Sequence, residues 1–303
     1  MRGPMTTRQW GLLLALSILW GGSFFFMAVA LRGFPPLTIV LARMSLAGIA
    51  LAITCVALGH RPPATRQAWI ACVGMGVLNS AIPFSLVVTA QQFIPSGLAA
   101  VVNAATPVFA VLCAHFLARD ERLTAPRLVG TLTGLAGVLV LAGPAALTSG
   151  HAQELLGILL ALGACLSYGV SGVWARRLKT TGLPPLTIAA TQCSAAALVL
   201  LPLVVAFDQP WALPVPDGVV LGAVLGLGLL STGLGYVLFF TLIAGAGATN
   251  AMLVTLLVPV TAVLLGTLVL GEVLAPRHLG GMAVIAAGLL ILDGRLLRRF
   301  RAR

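Results

Sequence analysis

The chain has 303 residues, of which 59% are hydrophobic and 8% charged, with a mean hydropathy of +1.08. Soluble domains carry roughly 25% charged residues, so this composition excludes both a water-soluble enzyme and a disordered chain. The formal net charge of +11 does not point to nucleic acid, because the basic residues sit in short loops between apolar runs and at the C-terminus instead of along one groove.

Ten apolar runs follow one another, at about 10–31, 36–58, 68–90, 96–117, 127–147, 155–175, 184–207, 218–242, 248–270 and 278–294. Each approaches the ~20 residues a helix needs to cross hydrocarbon. Their continuous apolarity excludes a barrel, whose strands alternate. The expected fold is an all-α polytopic membrane protein with ten transmembrane helices. The first run is longer than the roughly 7–15 residues of a signal-peptide core and reads as a retained anchor.

With the N-terminus placed in the cytoplasm, fifteen of the 18 Lys and Arg residues fall on the inner side, Arg32 and Arg277 fall outside, and Arg43 lies within a span. Such a bias sets both termini inside and brings Trp10, Trp69 and Trp174 to the inner interface. The tail 295–303 is then a basic cytoplasmic segment against anionic lipid, and the expected location is a bacterial inner membrane. Cys55, Cys72, Cys113, Cys165 and Cys193 all lie inside apolar runs without metal-ligand spacing and read as packing residues.

The sequence repeats itself. Pro35-Pro36-Leu37-Thr38-Ile39 recurs as Pro184-Pro185-Leu186-Thr187-Ile188, offset by 149 residues. Pro107 matches Pro259 at 152, while Glu121 matches Glu272 and Ala136-Gly137 matches Ala287-Gly288 at 151. The two units are 10–147 and 155–294, each of five spans. Five is odd, so the second copy enters the membrane in the opposite sense. Such inverted repeats mark many secondary transporters, in which exchange of conformation between the halves opens alternate sides.

Polar groups in hydrocarbon are costly and tend to face a bundle interior or a wet cavity. The candidates to contact a solute are Trp20, Ser23, Arg43, Asn79, Ser80, Phe84, Asn103, Tyr168, Gln192, Tyr236 and Thr255. Under the repeat offsets Asn79-Ser80 matches Ser231-Thr232, Phe84 matches Tyr236, Asn103 matches Thr255 and Arg43 matches Gln192. Gly21, Gly22, Pro83, Pro107 and Pro259 are candidate hinges. Arg43 is the single charge within a span, about 10 Å below the outer end at 1.5 Å per residue. Three readings stand for it: snorkelling outward, bonding helix-end carbonyls, or meeting a substrate carboxylate. Spans five and ten carry little polarity but several glycines, which suits a closely packed peripheral pair. All seven acids lie at loops or span ends, so the usual intramembrane ion-relay carboxylate is missing. There is no catalytic, cofactor or metal motif, and none of these is expected.

Leu19-Trp20-Gly21-Gly22-Ser23-Phe24, Ala42-Arg43, Pro107 with Glu121, and Pro259 with Gly271-Glu272 together resemble the EamA-type transporters of the drug/metabolite transporter superfamily. The resemblance runs over about residues 10–293 and is nearest the bacterial exporters of aromatic and other amino acids. Asp120 stands where the family usually has Gly, and Ser167-Tyr168 where Trp-Ala is common. The resemblance implies spans 1–4 and 6–9 around a central cavity, export of small metabolites such as amino acids, and alternating access by rocking of hairpins 3–4 and 8–9. The expected partners are a small-molecule substrate and the lipid bilayer, with the chain a monomer. An exporter of amphipathic drugs or nucleobase-like solutes is the alternative. A membrane-embedded enzyme or lipid scramblase, and a structural subunit, are the more distant rivals.

Overall fold

A computed structural model describes residues 5–118, 125–143 and 152–293. The tail 295–303, Arg119, Asp120, Glu121, Arg122 and the last residues expected of the fifth span lie outside the described residues. Among the described residues ten long helices follow one another in chain order. They are α1 (Thr7–Ala30), α2 (Pro36–Ala57), α3 (Arg66–Ala90), α4 (Ser96–Leu117), α5 (Ala125–Ala142), α6 (Ala152–Trp174), α7 (Pro185–Asp208), α8 (Gly218–Ala246), α9 (Val254–Leu268) and α10 (Pro276–Asp293). Seven of the described helices are long and apolar enough to cross a membrane, and the apolar parts of α5, α9 and α10 are shorter. Hydrocarbon leaves a spanning backbone no partner but itself, which is why continuous apolar runs become helices despite their many β-branched residues.

Several starts follow from local chemistry. Thr6 caps α1, with Gln9 bonding back to the Thr6 amide at 2.9 Å. Pro36 and Pro185 open α2 and α7 at the first helical turn, where a missing N–H costs nothing. The expected ninth span is split: a single turn at Ala248–Ala251 precedes α9.

The helix neighbours match themselves when each helix is exchanged with the one five later. α1 packs on α8 and α9, as α6 packs on α3 and α4. α3 packs on α7 as α8 packs on α2, while α2 meets α7, α4 meets α9 and α5 meets α10. Short connections put Glu154, Asp208, Asp217 and Glu272 at one end of the bundle and Arg8, Arg61, Arg66, Arg177 and Lys179 at the other.

α5 and α10 form the expected peripheral pair, and their glycines bring backbone against backbone. A Cβ on Gly288 would stand 2.6 Å from the Gly134 nitrogen and 2.8 Å from the Gly130 carbonyl oxygen, and one on Gly137 would stand 2.7 Å from the Ile285 nitrogen. Small residues at such seams give close packing where no hydrophobic force joins helices in lipid. Gly288→Leu therefore separates the pair, at a cost of about 1–3 kcal/mol for overpacking. The expected outcome is a lower thermal midpoint in detergent; an unchanged midpoint would contradict the close seam.

Candidate functional site

α3 and α8 each contain a π-helical stretch, at Val77–Ala81 and Gly226–Leu234. Such stretches free carbonyls from the regular ladder and often mark functional sites. Hydroxyls take up the freed groups here. Ser167 on α6 donates to the Leu78 carbonyl at 2.7 Å, and Thr232 donates to the carbonyl of Leu227, five residues back, at 2.9 Å. The stretches turn Asn79, Ser80, Ser231 and Thr232 inward; Ser80 and Ser231 are fully buried, and Asn79 accepts from Ser171 at 3.1 Å.

Arg43 lies between these stretches. It is 5% exposed, so of the readings left open by the sequence, outward snorkelling is excluded. Its Nε donates to Thr232 Oγ1 at 2.8 Å, and Nη1 lies 3.8 Å from the Met27 sulfur. The guanidinium carbon stands 3.6 Å from the centre of the Phe84 ring, a cation–π contact. The described carboxylates near the helix ends are engaged elsewhere: Asp208 with Thr38, Asp217 with Val220, Glu272 with Ser96 and Gly97, Glu154 with Arg277. Among the described residues no carboxylate pairs with Arg43.

Phe84 contacts the cation, and further rings pack in two groups. Phe84 meets Tyr168 edge-on at 6.3 Å, and Tyr236 stacks on Phe240 at 5.9 Å. Phe240 meets Phe239 at 5.7 Å, and Phe239 meets Trp20 at 5.1 Å. Gln192, the repeat partner of Arg43, donates from Nε2 to the Tyr236 hydroxyl at 2.6 Å. Tyr168 and Tyr236 stand within electrostatic reach of Arg43, and both are half-buried. Asn103 Oδ1 and Ser231 Oγ are buried without a hydrogen-bond partner among the described residues, and such groups call for a partner that the fold does not supply.

The remaining sequence candidates are placed differently. Ser23 donates to the carbonyl of Trp20 on its own helix at 2.6 Å, and Thr255 donates to the carbonyl of Met252, just before α9, at 2.7 Å. Thr106 donates in the same way to the Asn103 carbonyl at 2.7 Å, beside a break in α4 at Ala104–Ala105. Pro107 follows that break, Pro83 follows the π stretch of α3, and Pro259 lies inside α9. Gly21 and Gly22 do not interrupt α1, which runs unbroken through them. They admit α9: a Cβ on Gly21 would stand 2.6 Å from Thr261 Cβ.

The sequence reading missed two ties at the acidic end. Glu272 accepts from the backbone N–H of Ser96 at 2.8 Å and of Gly97 at 3.0 Å, clamping the segment after α9 onto the start of α4. Asp208 accepts from the N–H and hydroxyl of Thr38 at 2.7 and 2.8 Å, joining the end of α7 to the start of α2. Both carboxylates sit on helix N-termini, where unpaired N–H groups and the dipole favour an anion. Their signal in the sequence was a lone acid at a span end. Among the described residues no three His, Cys, Asp or Glu side chains gather where they could hold a metal ion.

Comparison with known proteins gives a consistent picture. The model of the EamA-like transporter family matches twice, over residues 9–143 and 155–292. A probable terminal-alkyne amino-acid exporter of Streptantibioticus cattleyicolor is 30% identical over 298 residues, covering 96% of this chain and 95% of that protein. The uncharacterized inner membrane transporter YedA of Escherichia coli K12 is 30% identical over 300 residues, covering 98% and 94%. A solved crystal structure aligns with a TM-score of 0.65 at 21% identity, covering 98% of this chain and 99% of the other, and so shares the fold.

Proposed function

Because the chain belongs to the EamA-like transporter family and is a multi-pass membrane transporter, we propose that it exports amino acids, binding the substrate carboxylate at Arg43. The observation that carries this reading is a buried guanidinium in the middle of the bundle with no carboxylate partner among the described residues. Arginine presents a planar fork that suits a carboxylate bidentately. Thr232 and Met27 engage Nε and one hydrogen of Nη1, leaving Nη2 and the second hydrogen of Nη1 for the substrate. The rings of Trp20, Phe84, Tyr168 and Tyr236 would hold the side chain, and Asn103, Ser80 and Gln192 would meet the ammonium or other polar groups. The named exporter from Streptantibioticus cattleyicolor supports an amino-acid cargo, and YedA, named an inner membrane transporter, supports the same location here.

The halves 10–147 and 155–294 act as inverted repeats in this reading, supported by the self-matching helix neighbours and the paired π stretches. Both termini are cytoplasmic, so the acidic end faces outward. The Glu272 tie between α4 and α9 then closes the outer side, and its release as hairpins 3–4 and 8–9 rock opens it. The breaks and kinks at Pro83, Pro107 and Pro259 give these hairpins places to bend. The chain works as a monomer.

The test is counterflow into liposomes loaded with unlabelled amino acids. Radiolabelled aromatic or aliphatic amino acids accumulate transiently, and Trp20→Ala or Tyr168→Ala lowers the initial rate at least severalfold. Absence of flux across a broad amino-acid panel, with flux of nucleobases or lipophilic cations instead, favours the alternative of a drug or nucleobase exporter, to which the ring-lined wall is also suited.

A further inference from the structure

At the basic end a cavity of about 490 Å³ lies between the start of α3 and the segment after α6, lined by Arg66, Gln67, Ile70, Ala71 and Arg177. Two guanidiniums from separate elements border one opening. The described carboxylates with assigned contacts all lie at the opposite end of the bundle, so the pair has no acidic neighbour among them.

Two of the lining residues are held by Trp174. Trp174 donates from its indole nitrogen to the Ala71 carbonyl at 3.0 Å, tying α6 to α3. Gly74 makes room for that ring, since a Cβ there would stand 2.2 Å from the indole. The Arg177 guanidinium lies 4.0 Å over the same ring, which orients the cation before any ligand arrives. Ile70 in the lining and its chain neighbour Trp69 are each 46% exposed, and Trp is enriched where hydrocarbon meets headgroups. A basic pocket flanked by lipid-facing apolar side chains suits an anion that carries acyl chains.

We propose that Arg66 and Arg177 bind the phosphate of an anionic phospholipid from the inner leaflet, with Gln67 hydrogen-bonding the headgroup and Ile70 and Trp69 against its acyl chains. This site is separate from the Arg43 centre and takes a structural lipid, not the cargo. Occupancy would brace the inner ends of α3 and α6, the helices that carry Asn79, Phe84 and Tyr168.

The test is lipid retention by the full-length protein, measured by native mass spectrometry after incubation with phosphatidylglycerol or with phosphatidylcholine of the same acyl chains. Each basic residue near such a surface is worth about fivefold in affinity. Phosphatidylglycerol should be retained over phosphatidylcholine, and Arg66→Gln with Arg177→Gln should reduce retention at least tenfold. Arg8→Gln with Arg61→Gln, at the same end but outside the cavity, should leave it within twofold. Arg177→Lys keeps the charge over Trp174 and controls for loss of packing; it should retain more lipid than Arg177→Gln. Equal loss in both double variants would overturn the site in favour of diffuse attraction. Displacement of the lipid by millimolar inorganic phosphate would overturn the lipid assignment. The readout involves no transport, so it stands or falls independently of the amino-acid reading.

Discussion

Arg43→Met weakens apparent affinity for carboxylate substrates about 10- to 100-fold yet leaves the thermal midpoint within a few degrees of the parent protein. The second half of this expectation follows from opposing magnitudes. A charged side chain at the centre of a membrane helix costs roughly 2.5–3.5 kcal/mol on insertion scales. Against it stand a desolvated cation–π contact with Phe84, about 2 kcal/mol, and a charged hydrogen bond to Thr232, about 1.5 kcal/mol. The two sides nearly cancel, and Met refills most of the volume. Function has no such compensation. A charged hydrogen-bonded contact to substrate is worth about 1.5–3 kcal/mol, so its loss weakens apparent affinity about 10- to 100-fold. Arg43→Lys recovers only part, because an ammonium cannot engage both carboxylate oxygens in one plane. Differential scanning fluorimetry and counterflow on the same preparations check both halves. A large destabilisation with intact flux would mean that Arg43 is a structural residue.

Glu272→Ala opens the acidic end. The carboxylate makes two hydrogen bonds to the first turn of α4, at 2.8 and 3.0 Å. Allowing for its partial exposure, the pair is worth about 2 kcal/mol, which is about 30-fold in the ratio of closed to open forms. Spin labels at Gln92 and Val273, both exposed near the tie, read this directly. The five native cysteines are buried and free, so labels fall mainly on introduced thiols. The parent protein should give a single short distance and Glu272→Ala a second, longer one. Glu272→Gln keeps one acceptor and should fall between them. Identical distributions in all three proteins would show that the tie is incidental to closure.

The helical bundle was legible because lipid gives the backbone one solution, so long apolar runs suffice to locate helices. The glycine seam of α5 and α10 was legible for a related reason: small residues without polarity have little else to do in hydrocarbon. The gathering of Arg43, Phe84, Tyr168, Gln192 and Tyr236 was foreshadowed by the repeat, which aligns Arg43 with Gln192 and Phe84 with Tyr236. The π stretches at Val77–Ala81 and Gly226–Leu234 were not legible. Their freed carbonyls are stabilised partly by hydroxyls from elsewhere, as Ser167 of α6 serves Leu78 of α3, and a local sequence window cannot see that. The clamp from Glu272 to Ser96 spans 176 residues and is invisible for the same reason. Gly21-Gly22 looked like a hinge because glycine loosens helices; instead the missing Cβ atoms let α9 approach an unbroken α1. Thr255 is expected at the cavity from its offset partner Asn103, while its hydroxyl donates to the Met252 carbonyl just before α9, a local bond that the repeat does not reveal.

The central claim is that the buried Arg43 guanidinium holds the substrate's carboxylate. Its most direct test compares counterflow of an amino acid with that of its carboxamide, which keeps the side chain and the amine but has no anionic oxygen. The account predicts that the protein carries the acid and carries the amide at least tenfold more slowly, and that Arg43→Gln removes this preference. Equal rates for acid and amide in the parent protein would contradict it.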